Sequence, residues 1–140
     1  MKFLWTEDIN SDLYKKCLEL RKEVFVKEKN SSLDLEIKDE DRCIYLGLEE
    51  DGNIIGTGRI FLNDDKTAIF QRIAIKKEYR SKGYGSLMIN EMENKCREKS
   101  ISTINIPASM HAIEFYTRLG YRQKGEIFIR GSIEHVWVEK

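Results

Sequence analysis

Net charge is the first thing this sequence lacks: Lys+Arg and Asp+Glu balance at 24 each. That balance leaves no global basic field of the kind that holds nucleic acid. Long apolar runs are missing too, and none approaches the roughly 20 residues a membrane span needs. The opening residues, Met1 to Asp8, are too short a run and too acidic for a signal peptide. Cysteine is scarce. Cys17, Cys43 and Cys96 are odd in number and widely spaced, which suits reduced thiols in a cytoplasm. Cys17 and Cys96 fall on apolar helical stripes and read as core. Internal repeats, linkers and low-complexity segments are absent as well. At 140 residues the chain is long enough for one domain with its own core, spanning 1–140, and short for two.

What is present alternates between strand and helix patterns. Lys2 to Thr6 reads as a short strand, and Asn10 or Ser11 can cap the helix that follows. Leu13, Cys17, Leu20 and Val24 repeat at helical spacing, carrying that helix to about Val26. From Lys27 to Asp41 charge replaces periodicity, with Glu28, Asp34, Glu36, Asp39, Glu40 and Asp41. That stretch is either a solvated loop or an acidic rim that collects a cationic amine. Three strands follow, Ile44–Leu48, Ile54–Leu62 and Thr67–Ile75, joined by turns at Asp51-Gly52 and Asn63–Lys66. Tyr84, Leu87, Met88, Met92 and Cys96 mark a helix from about Gly83 to Lys99. Ile101 to Ile106 reads as a parallel-type strand bounded by Pro107. Ile113, Tyr116 and Leu119 mark a short helix that Gly120 ends in a left-handed cap. Tyr121–Ile129 and Ile133–Val138 then pair through Arg130-Gly131-Ser132. This order predicts an α/β (α+β) fold with a mixed, mostly antiparallel sheet flanked by helices.

The stretch around which the chain is organised runs from Ile73-Ala74-Ile75 through Arg80-Ser81-Lys82-Gly83-Tyr84-Gly85-Ser86. A strand ends in a polar turn, and a glycine-bearing loop opens a helix. Small residues at Gly83 and Gly85 let backbone N–H groups approach an anion, and the helix adds its partially positive end. Arg80 and Lys82 place cations beside that nest. This is a pyrophosphate cradle. A Walker loop is excluded, because Gly85 is followed by Ser86-Leu87 rather than Lys-Ser/Thr. A dinucleotide fingerprint is excluded, because Met88 stands where its third glycine belongs.

Arg80-Ser81-Lys82-Gly83-Tyr84-Gly85 resembles the Arg/Gln-x-x-Gly-x-Gly/Ala loop of the GNAT N-acetyltransferase superfamily, which binds the pyrophosphate of acetyl-CoA. Ile73-Ala74-Ile75 resembles the family strand that runs along the pantetheine arm. Ser109-Met110-His111-Ala112-Ile113-Glu114-Phe115-Tyr116, continuing to Gly120-Tyr121, is similar to the family's Asn-x-x-Ala-x-x-Phe-Tyr-x-x-x-Gly-Phe segment, with Ser109 in place of Asn. The element order is also the GNAT order, so the resemblance covers nearly the whole chain. Leu20–Glu28 and Gly125–His135 further resemble a subgroup of short bacterial members, many of which have Gln where Lys29 stands.

The resemblance implies an acetyl-CoA-dependent N-acetyltransferase acting directly on a primary amine, small or protein-borne, with no metal. Ile73, Ala74, Ile75, Arg80 to Ser86, Ser109, Ala112, Phe115 and Tyr116 would hold the cosubstrate. A splayed strand near Ile73 would offer a backbone N–H to the acetyl oxygen. Tyr116 is the expected acid toward the leaving thiolate, against a plain core role on its helical stripe. No carboxylate stands midway along the cradle strand, where Ile69 and Gln71 lie. Glu28 and His135 are therefore the candidate bases, Glu126 a third, and a water relay a fourth. A rival reading keeps the binding site without turnover, as an acetyl-CoA sensor or subunit. Nucleic-acid binding through Lys76 to Lys82 is disfavoured, since aromatic interleaving is missing. A homodimer is compatible with the sequence.

Overall fold

The computed structural model of the chain describes residues 1–28 and 40–140, without the side chain of Glu28. Strand β1 (Lys2–Thr6) leads to helix α1 (Asp12–Arg21), where the Ser11 hydroxyl accepts from the Tyr14 N–H. Of the two caps the sequence offers, Ser11 is the one used. The helix then widens into a π-helical stretch, Lys22–Glu28, so helical backbone reaches two residues past Val26. The acidic residues Asp34, Glu36 and Asp39 lie outside the described residues, as does Lys29. Strands β2 (Cys43–Glu50), β3 (Asn53–Leu62) and β4 (Thr67–Ile75) form the expected antiparallel meander. Helix α2 (Tyr84–Glu98), strand β5 (Thr103–Ser109), helix α3 (Ile113–Arg118) and the hairpin β6 (Arg122–Arg130) and β7 (Ile133–Glu139) complete the chain.

These strands make one seven-stranded sheet in the order β1-β2-β3-β4-β5-β7-β6. Only the β4–β5 pair is parallel. Each face buries a different apolar set. Cys17 and Leu20 of α1, with Val24 of the π-helical stretch, cover one face, against Ile54 and Ala74. Met88, Ile89, Met92 and Cys96 of α2 cover the other, against Leu46, Leu48, Ile60 and Phe70, with Tyr116 and Tyr121 completing the cluster. Helix α2 comes close because β3 carries glycine beneath it. A Cβ at Gly56 would sit 2.7 Å from the Met88 sulfur, and one at Gly58 would sit 3.0 Å from that of Met92. Cys17, Cys43 and Cys96 are buried free thiols, Cys17 and Cys96 as their place on apolar stripes predicts.

Helix α3 ends as expected. Gly120 takes φ +95°, Tyr121 N–H bonds the Tyr116 carbonyl and Gly120 N–H bonds that of Thr117, both at 3.0 Å. This double closure is a Schellman cap.

Strand β5 corrects the sequence reading, which ended it at Ile106 with Pro107 as its boundary. The strand runs to Ser109 and holds Pro107 inside it, opposite Trp137 of β7. Ile104 and Lys140 exchange both backbone hydrogen bonds, at 2.9 and 3.0 Å. Ile104, Ile106 and Ala108 therefore turn their peptide groups toward β7, and Asn105, Pro107 and Ser109 turn theirs toward β4. Strand β4 pairs with β5 only from Thr67–Ile69 to Thr103–Asn105. By Pro107 the two strands have parted, so its missing N–H faces a gap and breaks no ladder.

Candidate functional site

The gap between β4 and β5 is the centre of the site. Strand β4 has a bulge there, since Arg72 and Ile73 oppose Gly58 alone, and Arg72 takes φ +54°. Such a bulge bends its strand and re-aims the residues beyond it. Beyond the bulge, Lys76 N–H bonds the Ile55 carbonyl at 2.8 Å. Residues 76 and 74 thus turn their peptide groups toward β3, and 75 and 73 turn theirs into the gap. The Arg80 Nε–H takes up the Ile75 carbonyl at 2.9 Å. The Ile73 N–H points into the same gap.

Past the end of β4, a 3-10 turn (Lys77–Tyr79) leads through Arg80 to the start of α2. Ser81 and Gly83 both have left-handed φ, +62° and +86°. Gly83 is the N-cap of α2, and no side chain caps the helix there. A Cβ on Gly83 would meet nothing within 4 Å, so protein atoms leave the space above it open. The first-turn N–H groups of α2 look onto that space, as an anion requires. Gly85 has a different reason for being small. A Cβ there would sit 3.3 Å from the Phe115 ring, so it lets α3 pack against the start of α2. Arg80 braces the loop to the strand, and Lys82 lies 5.7 Å from the Tyr79 ring.

Below the loop, the gap opens into a cleft of about 250 Å³ whose walls include Gln71, Ile73, Pro107, Ser109, Tyr116 and His135. Ala112 lines it as well, and Phe115 packs edge-on against Tyr116 with ring centroids 5.0 Å apart. The fold therefore brings Ile73, Ser109, Ala112, Tyr116 and His135 to one cavity, from residues up to 62 positions apart in sequence. Tyr116 is buried, and burial pushes its phenol up to about 12. The His135 Nδ1 lies 2.8 Å from the Ile133 carbonyl, which can only accept. Nδ1 therefore carries the proton, and in the neutral ring Nε2 keeps its lone pair. Phe128 stacks on the ring at 5.7 Å and fixes its plane. Glu28 ends the π-helical stretch, and its side chain lies outside the described residues. Glu126 is exposed on β6 and does not line the cleft.

One cluster was not visible in the sequence. The Glu40 carboxylate sits between two almost fully buried arginines, 2.8 Å from Arg21 and 2.7 Å from Arg59. The Arg59 Nε–H donates to the Gln71 Oε1 at 3.0 Å, which orients Gln71 in the cleft wall. The Tyr45 hydroxyl bonds the Glu40 backbone carbonyl at 2.5 Å. Glu40 is thus a partly buried partner of two core arginines, not part of a solvated or substrate-collecting rim. Strand pairing could have hinted at part of this, since Tyr45, Arg59 and Gln71 stand opposite one another on three adjacent strands. Nothing in local periodicity links them to Arg21 or Glu40.

Comparison with known proteins agrees with this fold. The acetyltransferase (GNAT) family profile matches residues 10–121. A candidate acetyltransferase of Bacillus subtilis strain 168 is 31% identical over 126 residues, covering 87% of this chain and 85% of its own. The crystal structure of a candidate N-acetyltransferase from Lactobacillus plantarum superposes with a TM-score of 0.87 at 27% identity, over 99% of this chain and 96% of that one. A GNAT family acetyltransferase from Elizabethkingia anophelis, solved with acetyl-CoA bound, shares the fold at a TM-score of 0.76 and 13% identity, over 99% and 95% of the two chains. The chain belongs to the GNAT acetyltransferase family.

Proposed function

We propose that the protein is an N-acetyltransferase that moves the acetyl group of acetyl-CoA to a primary amine by direct attack on the thioester. The observation that carries this reading is the continuity of three features. An open, uncapped helix start at Gly83 leads along the free edge of β4 to a cleft that holds a buried phenol. Residues 81–86 would take the pyrophosphate through backbone N–H groups, and Arg80 would keep the loop in place. The free edge of β4 at Ile73 to Ile75 would hold the pantetheine arm by strand-like pairing. Ile73 N–H would face the acetyl oxygen and stabilise the negative charge that grows there as the amine attacks.

The remaining steps are proton transfers. The amine nitrogen bonds to the carbonyl carbon, the C–S bond breaks, and its electron pair goes to sulfur. Tyr116 would donate its proton to that sulfur. A phenol at about 12 is fully protonated at neutral pH, so the donor is always loaded. A thiolate released into the same buried region is held less stably than in water, which favours its capture of the proton. His135 would accept the amine proton at Nε2, the nitrogen its Ile133 contact leaves open. Glu28 is the alternative base from its place at the end of the π-helical stretch.

A catalytically silent acetyl-CoA sensor is the second reading, favoured by one observation. The middle of β4 presents Gln71, held by Arg59, where a carboxylate base would stand. Thiol release from acetyl-CoA with a panel of amines separates the two. Amine-dependent release supports transfer. Tight binding by calorimetry with no release under any amine identifies the sensor.

A further inference from the structure

The cluster around Glu40 ends in the cleft, and its last member has a fixed polarity. The Arg59 guanidinium is held at two points, by the Glu40 carboxylate on Nη1 and by the Gln71 Oε1 on Nε. It is 1% exposed, so it cannot swing out to water. An arginine offers donors only, and the oxygen of the Gln71 amide must therefore face it. The amide nitrogen is turned away from Arg59. That nitrogen makes no hydrogen bond to the described residues, yet it is not sealed from solvent. Gln71 is a wall of the cleft, and its N–H groups are what it offers there. We propose that Gln71 determines acceptor specificity, its amide N–H groups holding a carbonyl or carboxylate oxygen that the amine substrate carries.

The placement suits such a substrate. Gln71 stands on β4 two residues before Ile73, whose N–H would face the acetyl oxygen. In the transfer reading, on which this inference rests, the amine attacks beside Ile73 and gives its proton to His135 Nε2. His135 and Gln71 both line the cleft, one presenting a lone pair and the other a pair of donors. The two walls are therefore matched to the unlike ends of one small molecule, its nitrogen toward the histidine and its oxygen toward the amide.

Rigidity turns this contact into discrimination. A free glutamine accommodates any partner, because its amide can flip to present either oxygen or nitrogen. Here a flip would take the oxygen from Arg59 and set an amide N–H against a buried guanidinium N–H. The donors therefore stay aimed at the cleft whatever enters. A second ammonium meets N–H groups pointing at it, and an alkyl end displaces their water and returns no hydrogen bond. An oxygen at that place is the group that satisfies them. The amide carries no charge, so it accepts a carboxylate or a neutral carboxamide on the same terms, and the choice between them falls to the rest of the cleft.

Amines that share a chain length and differ only at the far end test the proposal: an aminocarboxylate, its aminocarboxamide, the diamine and the plain alkylamine, each at several lengths. Thiol release from acetyl-CoA should give the wild type a kcat/KM about tenfold or more higher for one or both oxygen-bearing amines than for the other two. Which of the two leads identifies the source of the oxygen. Gln71→Glu keeps the acceptor that Arg59 requires, so it keeps the fold, but it turns an acceptor toward the cleft. That variant should invert the order and favour the diamine over the aminocarboxylate. Gln71→Leu should bring the oxygen-bearing amines down to the level of the alkylamine. Calorimetry of the same amines on the CoA-saturated protein reads the preference without turnover. Turnover with the same order of amines in the wild type and both variants overturns the inference and leaves acetyl transfer standing. A change that scales every amine alike also overturns it, by assigning Gln71 to catalysis. Absent turnover, with a calorimetric preference that Gln71→Glu inverts, overturns transfer and leaves Gln71 as the specificity residue. Neither turnover nor preference overturns both.

Discussion

At the scale of single residues, Tyr116 and Gly83 carry the clearest expectations. Tyr116→Phe keeps the ring that packs on Phe115 and Tyr121 and removes the proton. Turnover should fall about 10²–10⁴-fold while acetyl-CoA affinity holds, because general acid catalysis acts on the step and not on binding. A purely structural phenol predicts the opposite, a lowered melting temperature with turnover per folded molecule intact. The pH dependence is tied to the same group. Its folded pKa of about 12 lies above the ordinary phenol value, so the folded state keeps a proton that the unfolded chain releases from about pH 10 upward. Stability from this group is complete below pH 10 and is lost as pH rises toward 12. Thermal melts across that window should decline less steeply for Tyr116→Phe than for the wild type. At Gly83, valine would force a β-branched residue into φ +86° and fill the space above the helix start. Calorimetry should show no CoA binding for Gly83→Val. Lys82→Ala should weaken binding only about fivefold, the worth of one exposed ion pair.

At the scale of elements, the strand-loop-helix order around Gly83 was legible in the sequence, whereas the gap beside β4 entered only through the family resemblance, as a splayed strand near Ile73. Glycine at Gly83 and the strand-loop-helix order are local signals, and local signals survive translation into structure. Pro107 misled for a physical reason. A proline inside an apolar strand normally marks its end, and here it is tolerated because β4 has already left that side of β5. The Arg21–Glu40–Arg59 cluster was invisible because it joins α1, a 3-10 turn at Glu40–Arg42 and β3 through residues 19 positions apart at each step. Charge pattern alone gave Glu40 to a solvated loop or a substrate-collecting rim. Removing its carboxylate leaves two guanidinium groups buried without it, so Glu40→Ala should cost about 3–5 kcal/mol. Out of a typical ~5–15 kcal/mol for a domain this is large, and urea melts would read it directly. Asp41→Asn, at a residue exposed to water, should leave the midpoint unchanged.

At the scale of the whole molecule, the sheet order and the two helical layers follow from patterns that are repeated many times along the chain. Period-two strands and period-3.6 helices announce themselves, and their order restricts the topology to very few choices. The catalytic base is the part least accessible to such reading. His135 is a candidate by residue type alone, but its hydrogen bond to Ile133, two residues away, which leaves Nε2 open, is something no periodicity encodes. No helix among the described residues is long and apolar enough to cross a membrane.

The two methionines lying over glycine on β3 have a redox consequence. Met88 and Met92 are fully buried, and their sulfur atoms set how far the body of α2 stands from the sheet. The same helix is capped at Gly83, so the height of the glycine-bearing loop over the cleft is gauged by two thioethers. Each sulfoxide would add a polar oxygen to a contact that has no room for a methyl group. Peroxide treatment should therefore reduce CoA affinity without touching any residue of the loop, and methionine sulfoxide reductase should restore it. Met88→Leu/Met92→Leu, which leaves no thioether over the β3 glycines to oxidise, should make that affinity indifferent to peroxide.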